Sequence, residues 1–142
     1  MADYVIDASI VIEYLITGAY TANAQAFFNQ VTAADRLVVP EFCLLECANV
    51  VWKQVRFSGM SRSDAQDLVR VLRILKLRRA PVKQLLDRAL EIALDHTLDV
   101  YDSGYIALAL HYGYPLITLD QRQSQAAAAE GAVLKPITDF VP

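Results

Sequence analysis

Short apolar runs that close on an acid, set between stretches of helical periodicity, constrain this chain more than any other feature. Tyr4-Val5-Ile6 runs into Asp7, and Leu116-Ile117-Thr118-Leu119 runs into Asp120. Leu37-Val38-Val39 ends the same way on Pro40, and Val133-Leu134 offers a last short run. Runs of this kind read as strands buried on both faces, and helices between them favour parallel neighbours. Helices are expected over about 10–16, 22–31, 41–56, 62–75, 82–96, 103–112 and 121–130. Ser9 and Ser61 are suitable N-caps, and Pro40 and Pro81 lie just ahead of helical patterns. There is no linker and no internal repeat, and 142 residues suit one globular unit, 1–142. The expected architecture is a three-layer α/β/α sandwich with a central, mainly parallel sheet.

Within the 41–56 helix, Leu44, Ala48, Val51 and Val55 form the expected core stripe, widened by Leu45 and Trp52. Trp52, the one tryptophan, reads as a large core or interface residue. Cys43 and Cys47 read as reduced thiols in or near the core. His96 and His111 stand fifteen apart and far from both cysteines, so no zinc spacing exists. The apolar stretch 4–16 is interrupted by Asp7 and Glu13 and is too short to span a bilayer. It has no basic residue before it and no small-residue cleavage site after it, so a cytoplasmic protein without membrane association is expected.

Net charge is −3, but it is unevenly placed. Ten of the 13 Lys and Arg residues lie within 53–88, opposed there by Asp64, Asp67 and Asp87, so this part carries +7 and the flanks −10. A basic middle with acidic flanks suits a chain that holds a polyanion with one part and cations with the other. Ordinary solvated helix faces would produce the same pattern. Apolar residues make up 55% of the chain, a surplus that points to an apolar surface covered by a partner.

The chemistry gathers around acids. In open parallel sheets, ligands bind beyond the carboxyl ends of the strands, so Asp7 and Asp120 should project from one edge. Asp102 opens a strongly apolar helix, where it serves either as an N-cap or as a site residue facing the positive helix end. Glu46 interrupts Phe42-Cys43-Leu44-Leu45 and points away from the core stripe, beside Asn49 and Lys53. It lies either on a solvated back face or on the floor of a cleft. Carboxylates gathered in one crevice repel each other and must neutralise or bind cations. Oxygen-only ligands favour Mg2+ or Mn2+, whose usual task is phosphoryl chemistry, including activation of a water for attack. No Gly-rich phosphate loop and no nucleophilic Ser or Cys elbow is present.

Four segments together resemble the PIN-domain family. Tyr4-Val5-Ile6-Asp7-Ala8-Ser9 resembles its opening motif, and Glu46 within Phe42-Cys43-Leu44-Leu45-Glu46-Cys47-Ala48-Asn49 its second acid. Tyr101-Asp102-Ser103-Gly104-Tyr105-Ile106-Ala107-Leu108-Ala109 is similar to the third motif and is the most specific match, while Thr118-Leu119-Asp120 resembles the fourth. Small size and the lack of appended domains resemble the VapC-type toxins of toxin–antitoxin pairs. The resemblance implies an endoribonuclease dependent on Mg2+ or Mn2+ that leaves a 5′-phosphate and a 3′-hydroxyl. It also implies a homodimer, and a small antitoxin whose tail enters the active-site groove. Carried over by position, Asp7, Glu46 and Asp102 would hold the first metal, Asp120 would complete the cluster, and Ser9 would orient Asp7. Asp99 is a candidate for supporting Asp102, and Arg122 for a phosphate contact.

Other readings remain at this point. A phospho-acceptor receiver domain shares layout and length, and Lys135-Pro136 resembles one of its marks. It would want paired acids after the first strand, where this chain has Asp7-Ala8. An Asp-x-Asp phosphatase fails because position nine is Ser. A PIN-like protein that binds without cutting, and a PIN nuclease of RNA processing outside toxin–antitoxin systems, complete the alternatives.

Overall fold

The computed structural model describes residues 2–31 and 36–142. Four parallel strands form one sheet: β1 (Asp3–Ile6), β2 (Arg36–Pro40), β3 (Arg78–Ala80) and β4 (Leu116–Ile117), in the spatial order β3-β2-β1-β4. Among the described residues seven α-helices flank it: α1 (Ala8–Leu15), α2 (Thr21–Gln30), α3 (Cys43–Ser58), α4 (Arg62–Ile74), α5 (Leu86–His96), α6 (Val100–Tyr112) and α7 (Gln121–Ala129). This is the expected α/β/α sandwich with a parallel sheet. A receiver domain would carry the flavodoxin-like order 2-1-3-4-5, and the observed order departs from it.

The central strands bury their side chains because both faces are covered. Val5, Ile6, Val38, Val39, Leu116 and Ile117 have no accessible surface. Helix α6 lies across β1, β2 and β4, and an unbroken run from Ser103 to Ala109 is buried. Its lack of a polar side, noted in the sequence, follows from that position. Gly104 matters here: a Cβ would stand 3.2 Å from the ring of Phe42, which packs beneath the helix. Elsewhere Phe27 of α2 meets Tyr4 and Phe140 edge-on, at 5.7 and 4.8 Å between centroids. No helix among the described residues is long and apolar enough to cross a membrane.

Several elements differ from expectation, each for a local reason. Strand β3 was not foreseen. It has three residues at the sheet edge, and Arg78 and Arg79 are exposed, so it carries no apolar run. The 133–134 strand shrinks to one bridge, Leu116 with Leu134, and β4 stops at Ile117 because Thr118 turns into side-chain hydrogen bonds. The 41–56 helix begins at Cys43, since Glu41 still donates its N–H to the Ala80 carbonyl beside β3. Its buried positions are Cys43, Cys47 and Val51; of the expected stripe Val51 is buried and Leu44, Ala48 and Val55 are partly buried, while Leu45 and Trp52 are exposed. Both cysteines are free and buried, as expected. The 82–96 helix starts as a short 3-10 turn, Lys83–Leu85, before α5.

Candidate functional site

Strand β1 delivers Asp7 to the carboxyl edge of the sheet, and the chain turns there into α1. Asp7 itself caps α1, in place of the expected Ser9: its backbone is extended (φ −79°, ψ 158°), and Oδ2 accepts from the Ser9 N–H at 3.0 Å. The capping carboxylate is thus held rigidly by the first turn of a helix. Asp7 is almost fully buried, and that burial pushes its pKa up, against lowering hydrogen bonds from the Ser9 side chain and backbone and from Gln123. The Ser9 hydroxyl also accepts from the Leu119 N–H at 3.0 Å, which ties α1 to the segment after β4.

Glu46 reaches the same crevice from the first turn of α3, which settles its orientation towards a cleft. The Tyr105 hydroxyl of α6 donates to its Oε1 at 2.8 Å. Desolvation raises Glu46 to about 7, a rise that Tyr105 opposes and that the charges of Asp7, Asp102 and Asp99 reinforce. Asp102 lies within the first turn of α6. Asp99, not Asp102, caps that helix, accepting from the Asp102 N–H at 2.7 Å. Burial is the first cause that raises Asp102, to about 6, followed by Asp99, Asp7 and Asp120, with Arg122 lowering it.

Asp120 stands at the exposed rim. It caps α7 by accepting from the Gln123 N–H at 3.0 Å. Its charge is felt by Asp102, so all four predicted acids belong to one electrostatic neighbourhood. Asp7, Glu46 and Asp102 form its interior.

Three side chains that the sequence did not single out hold this interior together. Gln123 is fully buried, and its carboxamide nitrogen donates to Asp7 Oδ1 at 3.3 Å and to the Asp102 carbonyl at 3.0 Å. Its oxygen accepts from the Thr118 hydroxyl at 2.6 Å. Thr118 in turn accepts from the Asp120 N–H at 3.0 Å. Tyr105 completes the set through Glu46. One amide therefore links the ends of β1, α6 and the segment after β4. Nothing in the sequence separates Gln123 from Gln121 and Gln125, because only the fold turns one of the three inward.

The donor chemistry suits a hard divalent cation. All four side chains are carboxylates, neighbouring acids raise Glu46 and Asp102, and the ion pairs of the described residues use Asp3, Asp67, Glu130 and Asp139 instead. As the side chains stand, no group of three or more His, Cys, Asp or Glu among the described residues is gathered closely enough to hold a metal ion. The acids share one crevice, where Arg122 partly offsets the charge around Asp102. The guanidinium of Arg122 donates to the Thr97 carbonyl at 2.6 Å, so it braces the turn ahead of Asp99.

A family model described as PIN domain matches residues 4–129. Ribonuclease VapC9 of Mycobacterium tuberculosis is 31% identical over 126 residues, which cover 89% of this chain and 92% of that protein. A crystal structure of a Pyrobaculum aerophilum protein superposes with a TM-score of 0.72 at 20% identity, covering 97% of this chain and 85% of that one. A toxin–antitoxin complex from Klebsiella pneumoniae superposes with a TM-score of 0.55 at 16% identity, covering 84% and 88%.

Proposed function

The chain belongs to the PIN domain family, and from that premise we propose that it is a divalent-metal-dependent endoribonuclease, the toxin of a type II toxin–antitoxin pair. In this reading residues 1–142 act as one nuclease domain in the cytoplasm. The observation that carries the proposal is the crevice itself. Three elements bring Asp7, Glu46 and Asp102 into one crevice, each raised in pKa, and among the described residues none of the three is in an ion pair with a lysine or arginine. Asp7, Glu46 and Asp102 would hold Mg2+ or Mn2+, with Asp120 at the rim. An ion held by these carboxylates would supply charge neutralisation and Lewis acidity at a phosphodiester.

The chain's own groups prepare that site. Asp7 keeps one orientation because Ser9 and Gln123 hold both of its oxygens. Tyr105 fixes Oε1 of Glu46, so the proton that Glu46 retains near neutral pH resides on its other oxygen. Cation binding would release that proton, because the ligand must be ionised. Gln123 keeps the α6 backbone at Asp102 in register with Asp7.

RNA is the proposed substrate, supported by the related ribonuclease and by the basic residues of 53–88. A small antitoxin is the proposed inhibitor, supported by the related complex. A homodimer is supported by Leu86, Leu90 and Leu94, which form a stripe along α5 that is at least half exposed at every position. Leucines four apart share one helix face, and such a face favours burial against a second copy.

The test is cleavage of labelled total RNA by the purified protein with Mg2+, with Mn2+ and with EDTA, beside Asp7→Asn and Asp102→Asn. Discrete fragments that require metal and disappear in both variants are expected. Full activity in either variant would refute the site, and metal-independent cleavage would refute the mechanism.

A further inference from the structure

Helix α5 ends unlike two of its neighbours. Helices α3 and α6 stop on Gly59 and Gly113, both in the left-handed conformation that glycine adopts without steric cost. Helix α5 stops on Thr97 in the same conformation, φ 54° and ψ 46°, and Thr97 is the one non-glycine with positive φ among the described residues. A β-branched residue is strained there, and such strain persists only where surrounding contacts hold it.

Helix α7 and its cap supply contacts of that kind. Near its start, the Arg122 guanidinium donates to the Thr97 carbonyl at 2.6 Å. At its far end, Glu130 meets His96 Nε2 at 3.0 Å and Arg88 at 3.4 Å, which docks α5 against it. Only Leu98 separates Thr97 from Asp99, the cap of α6. Asp99 accepts from the Asp102 N–H through its carboxylate at 2.7 Å, and from the Ser103 hydroxyl through its carbonyl at 2.9 Å. The torsions of Thr97 therefore set where α6 begins, and the side chain that grips Thr97 stands two residues after Asp120.

We propose that Arg122 is a positioning residue: it locks the strained turn at Thr97, and so fixes Asp102 in the first turn of α6 relative to Asp120 at the start of α7. The proposal rests on the metal-dependent ribonuclease reading above. It gives Arg122 a bond within the protein in place of the phosphate contact that its nearness to Asp120 suggests. Without the brace Thr97 relaxes towards ordinary torsions, and Asp102 is no longer held in one place against the other carboxylates. The loss falls on metal affinity and on kcat, because a small misplacement of a site residue is felt in the chemical step. It spares KM, since in this role Arg122 touches no RNA.

Glycine takes the left-handed conformation without strain, so Thr97→Gly should hold the turn in a chain that lacks Arg122. The wild type, Arg122→Ala, and Arg122→Ala combined with Thr97→Gly are compared at a temperature where thermal melts show all three folded. Hydrogen exchange at the Asp102 and Ser103 amides, in EDTA, reads the start of α6 with neither metal nor RNA present. Calorimetric titration of Mn2+ reads the carboxylates, and cleavage of an oligoribonucleotide carrying one of the sites cut in total RNA separates kcat from KM. Arg122→Ala should speed the exchange, and should weaken Mn2+ binding and lower kcat about tenfold each with KM unchanged. Adding Thr97→Gly should return most of each loss. A raised KM with a flatter salt dependence, not recovered by Thr97→Gly, would overturn the proposal in favour of a phosphate contact. Exchange and Mn2+ affinity that ignore Arg122→Ala would overturn it outright. Loss and recovery of exchange protection and Mn2+ affinity, with no cleavage of RNA by any of the three proteins, would uphold the positioning role and sink the nuclease.

Discussion

Raising the pH should destabilise this protein when it is free of metal, and Asp7→Asn should remove part of that loss. Glu46 goes from an ordinary 4.5 to about 7 on folding, and Asp102 from 3.8 to about 6. Below their ordinary values both acids are protonated in folded and unfolded chains alike, and their stabilising contribution is intact. Between about 4 and 7 the unfolded chain releases protons that the folded one still holds, so stability falls until the folded groups ionise too. At about 1.4 kcal/mol per pH unit the two acids together account for about 6 kcal/mol. Both are half exposed, and solvent screening reduces this to about 3 kcal/mol. For a chain of this size that is a fall of about 10 °C in Tm.

Asn at position 7 keeps the shape, and its carbonyl can still accept from the Ser9 N–H. Its amide would face the Gln123 nitrogen, which loses one acceptor and costs about 1 kcal/mol. At pH 4, therefore, Asp7→Asn should melt slightly below the wild type. At pH 8 it should melt above it, because the buried charge that raises both Glu46 and Asp102 is gone. Glu130, lowered by His96 and Arg88, works in the opposite sense, gaining stability as pH rises, but it does so equally in both proteins. The assay is thermal melting in EDTA from pH 4 to 8. Crossing curves are expected. Parallel curves, or a wild type that gains stability steadily to pH 8 relative to the variant, would show that these carboxylates do not repel one another.

Other consequences follow from the same structure. Gln123→Leu strands Asp7 Oδ1, the Asp102 carbonyl and the Thr118 hydroxyl, so it should cost about 2–3 kcal/mol in a denaturant melt and lower kcat. Unchanged stability would mean that the amide is not the link drawn above. Neutralising Lys53, Arg56, Arg73 and Arg79 together should flatten the salt dependence of RNA binding by about 0.7 in log–log slope per lost phosphate contact. An unchanged slope would return these residues to solvated surface. Leu86→Ser with Leu90→Ser should convert a dimer to a monomer in light scattering, whereas a variant that still dimerises would place the contact elsewhere.

Much of the site can be read from the chain before it folds, and the exceptions share a cause. Asp7 and Asp120 were legible because each follows an apolar strand, and the strand end fixes the edge on which they emerge. The wheel of α3 left Glu46 undecided, since the same position serves a solvated face or a cleft. Packing against α6 decided it, by bringing the Tyr105 hydroxyl to its carboxylate. Caps were misplaced by two residues or by three. Asp7 took the role expected of Ser9, and Asp99 the role open to Asp102, because several good capping side chains sit close together and only backbone conformation selects one. Size alone allows Trp52 a core or an interface role; the core is filled by a neighbouring stripe of smaller side chains, and Trp52 lies exposed. Gln123 was invisible: the contacts that make it a link are to Asp7, 116 positions away in sequence, and to Asp102, 21 away. Strand β3 was equally silent, as an edge strand needs no apolar pattern to pair.

The most direct test of the central claim is calorimetric titration of Mn2+ into the wild type and into Asp7→Asn at pH 7, each in two buffers of different ionisation heat. The carboxylate crevice should bind Mn2+ with release of a proton from the Glu46–Asp102 pair, seen as a buffer-dependent enthalpy, and Asp7→Asn should bind at least tenfold more weakly. Equal binding by the two proteins, or binding with no proton released, would contradict the assignment of Asp7, Glu46 and Asp102 as the metal site.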